Sequence, residues 1–195
     1  WYADAAGDGN GSVGNPESLS DAVTLAGANG IVVAVGEGGP ISTPGVTLLN
    51  GQQLVGGGTT ISATVTVFGN PVFVNATVDG TRGTINGSSS SFDLITLGDD
   101  NRVQNLNLGG VFNDAIFGSL PGHLVIEDVD IGGTGATGLH FDAYATALGL
   151  TTVDIEIDDR NLDITAGTPG PLAPGIRLNA DALGAGVSLD LDFTM

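Results

Sequence analysis

Three weakly repeated segments in the second half of the chain constrain its fold more than any other feature. Asn105-Leu106-Asn107-Leu108-Gly109-Gly110 returns as Asp128-Val129-Asp130-Ile131-Gly132-Gly133, and again as Asn161-Leu162-Asp163-Ile164-Thr165-Ala166. Each copy is followed by a glycine-rich stretch and a second apolar pulse: Ala115-Ile116-Phe117, Gly138-Leu139-His140-Phe141 and Gly175-Ile176-Arg177-Leu178. The copies start 23 and then 33 residues apart. Short alternating segments recurring at about 20–25 residues, with one longer insertion, are the pattern of a stacked β-solenoid.

Composition supports thin β-layers. The 195 residues are 41% hydrophobic but only 5% aromatic, and Val, Ile, Leu and Ala suit a pleated surface better than a bulky core. Glycine, at 33 residues, is more than twice its usual share of ~7%. It has no collagen period and reads as corner chemistry. The chain is long enough for one domain, residues 1–195. Within it, 1–30 form an N-terminal strand and cap helix and 31–195 form coils.

The helix is expected just after Asn15-Pro16, with Asn15 as cap and Pro16 at the first helical position. Leu19, Ala22, Val23 and Ala26 then share a face, and Gly27–Gly30 ends it. Strands follow. Ile31–Val35 is a continuous apolar run that reads as buried on both faces. Asn50-Gly51 marks a turn between Val46–Leu49 and Gln53–Val55. Ile61–Phe68 and Val72–Val78 alternate. Further strands are expected at Leu94–Leu97, Arg102–Leu108, Ala115–Phe117, Leu124–Ile131, Leu139–Phe141, Thr152–Ile157, Leu162–Ile164, Gly175–Leu178 and Val187–Phe193. Asp142–Leu150 and Thr168–Pro174 are expected as protruding loops. Since the last strand runs to Met195 without a cap signal and solenoids need caps, the chain is expected to be a fragment of a longer protein, or to continue end to end into another copy.

Charge excludes several partners. Twenty-two acids face four arginines and no lysine, for a net charge of −18. Nucleic acid and anionic membranes would be repelled, and no apolar run approaches the ~20 residues of a membrane span. Such a surface suits solubility in salty water and admits divalent cations. Cysteine is absent, which removes disulfides and thiolate metal sites. An exported bacterial protein fits that usage, so the expected location is extracellular, either secreted or on the cell surface.

The opening Trp1-Tyr2-Ala3-Asp4, the Gly7-Asp8-Gly9-Asn10-Gly11 segment, Asn15-Pro16, the Leu19…Asp21-Ala22-Val23 helix, Ile31–Val35 and Leu48-Leu49-Asn50-Gly51-Gln52-Gln53-Leu54-Val55-Gly56-Gly57-Gly58 together resemble the start of bacterial right-handed parallel β-helix proteins of the pectate-lyase-like superfold. The resemblance covers about the first 60 residues. It implies an all-β, three-sheet right-handed parallel coil behind a short capping helix, and it leaves the activity open.

The candidate chemistry is sparse. Lyases of that superfold use clustered acids around calcium and an Arg or Lys base. Here the nearest arrangements are Asp79 with Arg82 and Asp158-Asp159-Arg160, which also read as solvated corner ion pairs. Hydrolases of that superfold use several Asp carboxylates followed one coil later by a Gly-His-Gly step. Asp99 and Asp100, with His123 in the next copy, are the nearest candidates, although Leu124 replaces the second glycine. An Asp-Asp-Asn corner is equally an ordinary turn. Asp8 and Asn10 open a stretch like a calcium loop, which lacks its glycine and its final Glu. His140 and Asp142 alternate outward on one strand as a metal pair, short of a complete site. Tyr144 is the aromatic placed to touch a ligand. No cofactor is required, and calcium is the one the surface would admit.

The expected function is a non-catalytic structural or adhesive segment whose partner is a polysaccharide or cell-surface glycan. A polysaccharide lyase or glycoside hydrolase is one alternative. A self-assembling extracellular filament subunit is another.

Overall fold

A computed structural model describes residues 1–67, 70–119, 123–133, 137–145, 149–158, 163–166, 176–182 and 187–194. For 63–67, 70–74, 143–145, 149–158, 163–166, 178, 180–182 and 187–194 it describes the backbone alone. The protein is predominantly β.

Its first array is built from β1 (Tyr2–Ala3), β4 (Ile31–Ala34), β7 (Gln53–Gly56), β12 (Arg102–Val111), β14 (His123–Gly133), β16 (Gly149–Asp158) and β19 (Val187–Thr194), all paired in parallel. The long strands β12 and β14 each serve two sets of neighbours. The first part of β12 pairs with β7, and its last six residues pair with β10 (Gly83–Ser88), which also pairs with β5 (Ile41–Thr43). Likewise β14 gives its first part to β16 and its last part to β17 (Asp163–Ala166). The break in each falls on a left-handed residue, Asn105 at φ 55° and Asp128 at φ 54°. Asn and Asp tolerate that region better than other side chains. A second, five-stranded parallel sheet holds β6 (Val46–Thr47), β11 (Ile95–Leu97), β13 (Asp114–Ser119), β15 (Thr137–Ala145) and β18 (Ile176–Ala182).

The repeat copies pair with each other in register. Leu106 lies opposite Val129 and Leu108 opposite Ile131, which in turn lies opposite Ile164. In the second sheet Ile116, Leu139 and Ile176 line up. The inward positions become aliphatic ladders: Val32, Leu54, Val103 and Ile126 on one face, and Ile41, Ile85, Leu108 and Ile131 on another. All eight are buried. Each such side chain contributes about 1.5–3 kcal/mol of transfer free energy. The Ile31–Val35 run is indeed buried on both sides. Val32 and Ala34 enter this main core, while Val33 and Val35 join Val55 in a second cluster with Tyr2, Ile61 and Val78.

The likeness to right-handed parallel β-helix proteins has to be corrected, because the sheets are mixed. The Asp8–Ser12 segment, which opens like a calcium loop, is strand β2 and runs antiparallel to β3 (Asn15–Glu17). Two glycines make this tight return possible. The carbonyls of Asn15 and Pro16 occupy the space a Cβ on Gly9 would need, and the Trp1 ring lies where one on Gly11, at φ 75°, would project. The expected strands at Ile61–Phe68 and Val72–Val78 are β8 (Thr60–Val67) and β9 (Asn70–Thr77), an antiparallel hairpin paired from Thr60–Thr77 to Val67–Asn70. Neighbours in sequence close a hairpin at little entropic cost. At its base Ser62 Oγ donates to Asn75 Oδ1 at 2.7 Å.

Three smaller corrections follow. Helix α1 spans Leu19–Ala26 and is capped by Ser18, not Asn15: Ser18 Oγ accepts from the Asp21 amide at 3.1 Å. Asn15-Pro16 is extended because Glu17 pairs with Ala3 on β1. Gly27 ends the helix at φ 68°. Strands β5 and β10, which the periodicity does not announce, supply the array beneath the second half of β12. The expected loop Asp142–Leu150 is largely strand, since β15 runs to Ala145 and β16 starts at Gly149. The Thr168–Pro174 loop and Arg160 lie outside the described residues. No described helix is long and apolar enough to cross a membrane.

Candidate functional site: a histidine held between aspartates beside a cleft

The outer face of the five-stranded sheet carries the densest polar constellation among the described residues. Alternation along β15 buries Leu139 and Phe141 and turns His140 and Asp142 outward together. Register with β18 sets Arg177 beside His140 and Asn179 beside Asp142, and register with β13 sets Phe117 on the other side of His140. The Phe117 and His140 rings meet edge to face, with centroids 5.2 Å apart.

His140 is gripped at both nitrogens. Its Nδ1 lies 2.7 Å from Oδ2 of Asp114, whose side chain is only 5% exposed. Its Nε2 lies 3.2 Å from Asp142 Oδ1 and 3.1 Å from Asn179 Nδ2. Asn179 Nδ2 also donates to Asp142 Oδ1 at 2.7 Å. In the tautomer with the proton on Nδ1, that nitrogen donates to Asp114 and Nε2 accepts from the Asn179 amide. Asp114 is itself positioned: Asn113 Nδ2 donates to its Oδ2 at 3.3 Å, and Asp93 Oδ1 accepts from the Asp114 amide at 3.2 Å.

Asp93 and Asn113 connect this cluster to a cleft of about 440 Å³ lined by Pro44, Val46, Thr47, Phe92, Asp93, Thr96 and Asn113, among others. Phe92 is 58% exposed there. An exposed aromatic ring bordered by hydroxyl, amide and carboxylate groups is a surface for ligands with both an apolar face and hydroxyl groups.

The residues singled out from sequence fall elsewhere. Asp99 and Asp100 occupy an exposed corner, with Asp100 at φ 55°. Asp100 Oδ1 accepts from the backbone amide of His123 at 3.3 Å, so the structure does bring this pair together, through the main chain. The Asp99 amide donates to Asn50 Oδ1 at 3.1 Å. Asp8 and Asn10 are exposed on β2, where Asn10 Oδ1 accepts from the Ser12 amide. Tyr144 belongs to β15, opposite Asp181, and its side chain is outside the described part. Arg82 turns to Asp128 and Asp130: it donates to the carbonyls of Leu106 and Asp128 at 2.9 and 3.0 Å and meets Asp130 Oδ2 at 3.1 Å. Among the described residues there is no group of three or more His, Cys, Asp or Glu suited to a metal.

Sequence reasoning found His140 and Asp142 but missed Asp93, Asn113, Asp114 and Asn179, along with Phe92. One signal for Asn179 was present. The second pulse aligns Leu139-His140-Phe141 with Ile176-Arg177-Leu178, and one further step sets Asp142 opposite Asn179. The chain matches no protein-family model, no curated protein and no solved structure, so the site's own geometry is what speaks to function.

Proposed function

We propose that this chain is a non-catalytic structural and adhesive segment of a secreted or cell-surface protein, with its parallel ladders wound as one right-handed coil and a glycan-binding cleft on the coil's outer face. The coil reading is supported by repeat copies that pair in register on two sheets. The observation that carries the binding reading is the cleft. Its volume falls within the span of ordinary small-molecule sites, about 300–1,000 Å³. Phe92 offers a flat apolar face for a sugar ring, while Thr47, Thr96, Asp93 and Asn113 offer hydrogen-bonding groups at its edge. A net charge of −18 selects neutral glycans over acidic ones, which the field of the whole molecule repels.

The test is retention on immobilised neutral and acidic polysaccharides, with product release scored in parallel. Neutral polymers should be retained without shortening. Phe92→Ala should weaken retention at least about tenfold, equivalent to ~1.4 kcal/mol, and should leave the melting temperature unchanged because the ring is largely exposed. Unaltered retention in that variant would remove the cleft from the reading. Shortened products would make the chain an enzyme.

A further inference from the structure

We infer that His140, Asp142 and Asn179 form a binding site for a first-row divalent transition-metal ion, with Asp114 as the group that orients the imidazole. The atoms facing one another are His140 Nε2, Asp142 Oδ1 and the Asn179 side-chain amide. Their separations are 3.2, 2.7 and 3.1 Å. Ligand atoms held about 2.1 Å from an ion at right angles to one another lie about 3.0 Å apart. The three therefore span one triangular face of an octahedron, and the opposite face is left for water or for oxygens of a bound molecule.

Two features turn this face into a metal site. A half-turn of the Asn179 amide puts Oδ1 where Nδ2 now stands, which converts a donor into a third ligand without moving the backbone. The Asp114 carboxylate, almost fully buried, lies 2.7 Å from Nδ1, where it can accept the hydrogen bond of an Nδ1–H. A carboxylate behind a histidine fixes the tautomer that presents Nε2 to an ion and makes that nitrogen a better ligand. The two carboxylates, Asp114 and Asp142, also balance the ion's double charge. The imidazole nitrogen selects first-row ions that accept octahedral sites, such as Co²⁺ and Ni²⁺, over calcium, which takes oxygen alone. The site thus differs in kind from the calcium that the acidic surface would hold loosely.

The test is titration of the whole chain with Co²⁺ and with Ni²⁺, each read by calorimetry, both in excess CaCl₂ to occupy loose acidic sites. One equivalent of each should bind in spite of the calcium. His140→Gln should abolish the binding of that one equivalent, and Asp114→Asn should weaken affinity about 10- to 100-fold. Asn179→Asp decides the matter even if His140→Gln fails to fold. A ligand set gains a carboxylate and binds more tightly. A plain hydrogen-bond cluster instead sets two acids against each other, so the variant melts lower and gains no metal. No saturable binding in calcium, or equal binding by the wild type and the Asn179→Asp and Asp114→Asn variants, would overturn the assignment.

Discussion

Gln52 is fully buried and uses its whole side chain. Its Nε2 donates to the carbonyls of Val23 and Gly27, both at 2.7 Å, and its Oε1 accepts from the Leu49 amide at 2.7 Å. It therefore closes the C-terminal end of helix α1 against the turn at Asn50-Gly51. Gln52→Leu would keep the bulk and strand the Val23 carbonyl and the Leu49 amide, while the Gly27 carbonyl keeps the Gly30 amide at 3.1 Å. Each buried orphan costs about 1–3 kcal/mol, so a loss of at least ~2 kcal/mol is expected in urea unfolding, with no change in the slope. A loss below ~1 kcal/mol would mean that water enters and replaces the side chain. In sequence Gln52 is one more polar residue beside a turn, because its helix partners lie 25 and 29 positions earlier. His140 shows the same division. Its outward direction with Asp142 follows from alternation, whereas Asp114 and Asn179 arrive only through strand pairing, 26 and 39 positions away.

Among the elements, helix α1 tests how local rules compete. Asn15-Pro16 satisfies the preferences of a helix start, yet the pairing of Asn15 with Ser12 and of Glu17 with Ala3 holds it extended and passes the capping role to Ser18. Ser18→Ala should cost about 1 kcal/mol, while Asn15→Ala, off the helix, should cost less than half as much in the same thermal unfolding measurement. Equal losses would restore Asn15 as the cap. The helix face itself was legible, since Leu19, Ala22 and Val23 are all buried. Strand positions were legible wherever apolar residues alternate, and the repeat copies stack as their spacing implies. Strand direction was not. Thr60–Val67 alternates in the same way whether its partner runs parallel or antiparallel, and closeness in the chain decided for the hairpin. Gly83–Ser88 escaped notice because Ile85 is its one large apolar residue, and its place comes from neighbours on both sides.

For the molecule as a whole, the unbalanced charge is a standing cost to compactness. Among the described residues Arg82 is engaged by Asp128 and Asp130 and Arg102 by Glu127, yet the sequence as a whole sets 22 acids against four arginines. Self-repulsion of this kind opposes the folded state and is screened by salt. Between 0.01 M and 1 M NaCl the screening length falls from about 30 Å to about 3 Å. A relief of ~1 kcal/mol would raise the melting temperature of a chain this size by about 2–4 °C. Screening predicts that most of the rise comes below ~0.15 M, where the length has already dropped to about 8 Å, whereas exclusion of salt from the surface grows steadily with concentration. A melting temperature that is flat at low salt and climbs only near molar concentrations would show that the acids are too well spread to repel. The aliphatic ladders would then be setting stability almost alone.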